Sequence, residues 1–68
     1  MTESLGEALP KRMAQVREMI PICESLGPGC DFIVACMKAD LQKAETVIAA
    51  GDVVGMIDVY RSLMDYKL

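Results

Sequence analysis

Three cysteines, one acid–base couple and a small group of cations are the residues of this sequence whose types could carry chemistry. Cys23, Cys30 and Cys36 are separated by six and then five residues. Zinc sites bring their ligands in close pairs with roughly two to four residues between them, and the chain has no His to complete a set, so this spacing predicts no metal centre. The thiols read as small buried hydrophobes. Cys30 is the one with a case for reactivity, because it stands beside Asp31 at a predicted helix start, where backbone N–H groups can stabilise a thiolate. Asp40 and Lys43 lie three residues apart, which predicts an intrahelical ion pair worth a few tenths of a kcal/mol and not half of a catalytic dyad. Gly27-Pro28-Gly29 lacks both the longer loop and the Lys of a phosphate cradle. No catalytic residue, cofactor site or small-molecule substrate is evident.

The cations point only weakly to nucleic acid. Lys11, Arg12 and Arg17 form a candidate basic patch on the first predicted helix, and a small DNA-binding or transcription-regulating domain that displaces phosphate counterions with them is the alternative reading. On the last predicted helix Asp58 and Asp65 offset Arg61 and Lys67. The whole chain has 7 basic and 10 acidic residues, a net charge of −3, with neither half strongly biased. Its 68 residues, 53% of them hydrophobic, exclude a disordered chain and predict one helical domain spanning 1–68. A domain this small buries only about 60% of the surface its unfolded form exposes, too little for both a core and a deep enclosed pocket. The expectation is a protein that is not an enzyme.

Apolar spacing supplies the elements, since recurrence at three and four residues marks one helix face. Leu9, Met13, Val16, Ile20 and Cys23 predict a first helix over 10–26, with Pro10 in its first turn and Gly27-Pro28-Gly29 as its stop. Residues 1–9 are then expected to be a flexible segment. Pro21 predicts a kink or a division into two short helices, because it removes a backbone bond to Arg17 at a cost of about 3 kcal/mol. Cys30, Ile33, Met37, Leu41, Ala44 and Ile48 make a second stripe, widened by Val34, Cys36 and Val47, on a helix capped by Asp31 and ended by Gly51. Asp52 caps a third helix whose predicted core face is Val53, Ile57, Tyr60 and Met64, flanked by Met56 and Leu63. The fold expected is an all-α three-helix bundle. Helices two and three form an antiparallel αα-hairpin with helix one packed across it, and Met13, Met37 and Met64 fill the core.

Two apolar sets fall off these stripes. Gly55, Val59, Ser62 and Tyr66 share the face of helix three opposite Ile57 and make a candidate protein-contact patch, in which an aromatic supplies buried area at low entropic cost. Ile22, beside Pro21, is a second outlier. No run of apolar residues approaches the ~20 needed to span a membrane, and the first ten residues carry Glu3 and Glu7 with no basic cluster, so no targeting segment is visible. An odd cysteine count fits a reducing compartment, with the cytoplasm as the expected location. The segments Leu9-Pro10-Lys11-Arg12-Met13-Ala14, Val16-Arg17-Glu18, Gly27-Pro28, Asp40-Leu41, Gly51-Asp52 and Met56-Ile57 with Tyr60 resemble small uncharacterised proteobacterial and prophage-encoded proteins. That resemblance implies a bacterial or phage cytosolic setting and assigns no site residues; Pro21 departs from it. The function expected is a non-catalytic cytosolic helical protein-interaction module, homodimeric or binding another protein through helix three.

Overall fold

The computed structural model describes residues 3–67 and contains three α-helices: α1 (Leu5–Ser25), α2 (Asp31–Ala50) and α3 (Val53–Met64), with a 3-10 turn over Pro28–Cys30. Each helix packs against the other two, giving the all-α three-helix bundle that the periodicity predicts. The core is assembled from Leu9, Met13, Val16 and Cys23 of α1, Val34, Met37, Leu41, Ala44 and Val47 of α2, and Val59 and Leu63 of α3. Among the described residues no buried side chain is polar or charged.

α1 starts earlier than its first proline. The Ser4 carbonyl accepts from the N–H groups of Glu7 and Ala8, and Leu5 packs against a core that contains the fully buried Leu9. Packing half-buried Leu5 against that core draws one more turn onto the bundle, so Pro10 lies inside the helix and not at its start. Of the segment expected to be flexible, Met1 and Thr2 lie outside the described residues. Pro21 does not divide α1 either. It sits on the exposed side, where water can satisfy the Arg17 carbonyl that it orphans, while Ile20 and Cys23 hold the flanking turns against the core.

The corners follow from residues with special backbone freedom. Gly27, at φ 108°, ends the turn after α1, and Gly51, at φ 69°, takes the left-handed conformation that closes α2. Its N–H bonds to the Ile48 carbonyl and that of Asp52 to Val47. The Asp52 carboxylate then accepts from the Gly55 N–H at 3.0 Å and caps α3. Asp31, by contrast, is not the cap expected for α2. The 3-10 turn runs directly into that helix, with the Asp31 N–H bonded to the Pro28 carbonyl, so Cys30 takes the capping position with no side-chain bond. Asp31 instead places its charge in the first turn, at the positive end of the helix dipole.

Two of the predicted stripes are rotated. On α2 the buried line is Val34, Met37, Leu41, Ala44 and Val47, while Ile33 and Ile48 are exposed and Cys30 and Cys36 half-buried. On α3 the change is larger. Val59 and Leu63 are buried, and Val53, Ile57 and Met64, expected in the core, are exposed.

Candidate interaction surface

The potentially chemical side chains are dispersed by the fold. Cys23 is buried against the core, Cys30 and Cys36 are half-buried, and all three are free thiols. Among the described residues no cluster of three His, Cys, Asp or Glu could hold a metal ion. Asp40 does not form the expected pair with Lys43. It accepts a 2.7 Å hydrogen bond from the Tyr66 hydroxyl across 26 residues of sequence. Partial burial, and after it that hydrogen bond and the neighbouring charges of Asp40, Cys36 and Asp65, push the Tyr66 phenol well above its ordinary value, so Tyr66 acts as a donor.

Nor do the three cations make a free basic patch. Lys11 pairs with Glu3 at 2.6 Å, and Arg17 reaches across to Glu45 on α2 at 2.8 Å. Both are exposed pairs, worth ~0–1 kcal/mol each, but each sets a carboxylate beside its cation. Arg12 has turned inward. Its Nε donates to the Leu63 carbonyl at 2.9 Å, one terminal nitrogen donates to the Tyr66 carbonyl and the other to Gln15 Oε1 at 3.0 Å. The last carbonyls of a helix lack intrahelical partners and carry its negative dipole end. Arg12 thus caps the C-terminal end of α3 from the first helix.

The expected contact patch on α3 is, for the most part, an internal face. Val59 is only 1% exposed. A Cβ placed on Gly55 would lie 2.7 Å from Val47 Cγ1 and from Asp52 Oδ2, so this glycine permits the close approach of α3 to α2. Tyr66 is held by Asp40, and of the four residues only Ser62 is exposed. Gly55, Val59 and Tyr66 do share one face of α3, but it is the face that meets the rest of the bundle. Gly55 was the available signal, since a glycine inside a helix costs about 1 kcal/mol relative to Ala and marks a close packing contact.

What α3 turns outward is apolar as well. Val53, Val54, Ile57 and Met64 are 59%, 70%, 41% and 46% exposed, and half-buried Tyr60 borders them. Asp58 and Arg61 lie beside this stripe, and neither forms an ion pair among the described residues. Ile48 is exposed at the same end of the hairpin as Val53. At the opposite end a groove of about 370 Å³ runs between Leu26, Cys30 and Ile33 and the segment Asp65–Lys67, with Met37 at its floor. Phe32, 78% exposed, lies next to it in sequence, and Ile22 is exposed on α1. Isolated apolar side chains are ordinary on a protein surface, whereas a contiguous stripe on a helix whose inner face is already filled is not.

No helix is long and apolar enough to cross a membrane among the described residues. Comparison with protein-family models found no match, and comparisons with curated proteins and with solved structures found none either.

Proposed function

We propose that this protein is a non-catalytic helical interaction module that binds a protein partner across the outward face of α3. The observation that supports this most is the stripe of Val53, Val54, Ile57 and Met64. A helix that is apolar on two sides has the composition of an element buried on both, and here one side is open. Among the described residues the thiols, carboxylates and cations are dispersed, with no nucleophile, base and orienting group set side by side. A DNA-binding role is the weaker reading, because Arg12 is turned inward to backbone carbonyls and Lys11 and Arg17 each have a carboxylate beside them at the surface. A bacterial, cytoplasmic setting rests on the sequence resemblance and on the odd number of thiols.

A photo-crosslinking amino acid at position 54, compared with one at the exposed Glu18 of α1, tests the reading in cells that make the protein. Adducts are expected from position 54 and not from position 18. Absence of adducts from position 54 would overturn the proposal.

A further inference from the structure

We propose that the groove at the end of α1 is a site for one soft monovalent cation, copper(I), held by the thiolates of Cys23 and Cys30 and the thioether of Met37. The sequence has three cysteines and six methionines. Two of those thiols and one of those thioethers line the same space of about 370 Å³, and they come from α1, the 3-10 turn and α2 respectively. Cys23 is 4% exposed and Met37 1%, while Cys30 is half-buried, so one sulfur donor is open to solvent and two are not. Among the described residues no hydrogen bond engages either thiol.

Donor chemistry selects the ion. Thiolate and thioether sulfurs are soft ligands that favour Cu(I), whereas magnesium and calcium take oxygen ligands. Three sulfurs fall short of the four-ligand set of structural zinc, but Cu(I) is stable with two or three. Staggered χ1 positions at both cysteines and the three rotatable bonds of Met37 give the sulfurs freedom to close on an ion. Binding joins Cu(I) to two thiols, with two Cu–S bonds formed, two protons released and no change of oxidation state; the Met37 sulfur adds a lone pair. The bis-thiolate complex carries one negative charge at the N-terminal end of α2, where the helix dipole favours it. Asp31 in that first turn is exposed and screened by water. Asp65 and Lys67, which also line the groove, offset each other, and the other walls are apolar or aromatic.

Anaerobic titration of the reduced full chain with Cu(I) against the chromogenic chelator bicinchoninate should show one ion retained per chain. Native mass spectrometry should find that copper on a 7.4 kDa monomer. Cys23→Ser and Cys30→Ser should each weaken retention more than about a hundredfold, since losing a ligand exceeds the roughly 10–100-fold cost of losing an outer-shell partner. Met37→Leu, close in volume, should weaken it roughly tenfold, because a neutral thioether adds less than a thiolate. Cys36→Ser should change nothing, because that thiol does not line the groove. The wild-type melting temperature should rise with Cu(I) and not with an equal amount of Zn(II). Circular dichroism checks each fold; if Cys23→Ser is unfolded, Cys23→Ala takes its place, and Cys30→Ser reads the same site from a half-buried position. A chain that keeps no Cu(I) against the chelator would overturn the site. So would an equal loss in Cys36→Ser, an ion bridging two chains, or zinc held as tightly. Retention unchanged by Met37→Leu would overturn the part given to the thioether. None of these outcomes depends on what binds α3.

Discussion

α1 and α3 carry apolar stripes of nearly the same spacing, yet one stripe lies in the core and the other in solvent. In α1 the positions Leu9, Met13, Val16 and Cys23 are buried, and the opposite side carries Lys11, Gln15 and Glu18, so only one orientation hides the apolar groups. In α3 apolar residues occupy much of the circumference. Periodicity then has two solutions, and the choice falls to features outside it. Gly55 lets α3 approach Val47 closely, Arg12 holds the carbonyls of Leu63 and Tyr66, and the Tyr66 hydroxyl bonds to Asp40. A helix is oriented by its least replaceable contact, and that contact need not lie on its most hydrophobic line.

The strongest way to break this comparison is to put a charge on each face of α3 in turn. Leu63→Asp buries an unpaired carboxylate, at a cost of several kcal/mol against a total stability of about 5, and should leave the chain largely unfolded. Ile57→Asp should keep its helicity and shift the melting temperature little. Circular dichroism melts of the two variants decide it, and the reverse ranking would restore the face expected from spacing. Met37→Asp, on the central helix, should behave like Leu63→Asp.

A smaller effect tests what orients α3. Gly55→Ala gains about 1 kcal/mol of helix propensity, but its Cβ would press on Val47 and on the capping carboxylate of Asp52, an overpacking worth ~1–3 kcal/mol. Net destabilisation is expected in a urea titration; a more stable variant would show that α3 has room to turn. Gly51→Val should cost ~1–2 kcal/mol, because a β-branched residue resists the left-handed backbone there, and a midpoint equal to wild type would count against that corner.

The smallest effect concerns Tyr66. Tyr66→Phe removes the bond to Asp40 and should cost ~0.5–1.5 kcal/mol. Its pH signature has a definite sign. The folded chain holds the phenolic proton more tightly than the unfolded chain does, so this contribution is fully present below the ordinary tyrosine range near 10 and declines as pH rises beyond it. Denaturant titrations at pH 8 and above 10 should show a loss in the wild type that is reduced in Tyr66→Phe. An identical loss in both would remove Tyr66 as its source.

These contrasts also mark what was legible in the sequence. The three helices, the Gly51 and Asp52 corner and most of the α1 core could be read because each depends on residues close together in the chain. Gly51 and Asp52 are among the few residue types that suit their backbone positions, and α1 has one apolar side. The Arg12 cap and the Tyr66–Asp40 bond join residues 26 to 54 positions apart, and nothing local in either partner specifies the other. Those contacts turn Val59 and Leu63 inward, so the face that spacing alone offers as the interaction surface is the inner one. The basic patch failed for a related reason: the sequence gives the cations of α1 but not the carboxylates and carbonyls that the fold brings to them.

The Arg12 cap has a consequence for the order in which the molecule is assembled. α2 and α3 meet through a two-residue corner, so their hairpin can form as soon as both have been synthesised. α1 is made first, but the carbonyls that complete its contacts belong to residues 63 and 66. Until those emerge from the ribosome the Arg12 guanidinium has no carbonyl to cap, so α1 can lie against α2 before the link that ties it to the end of α3 is made.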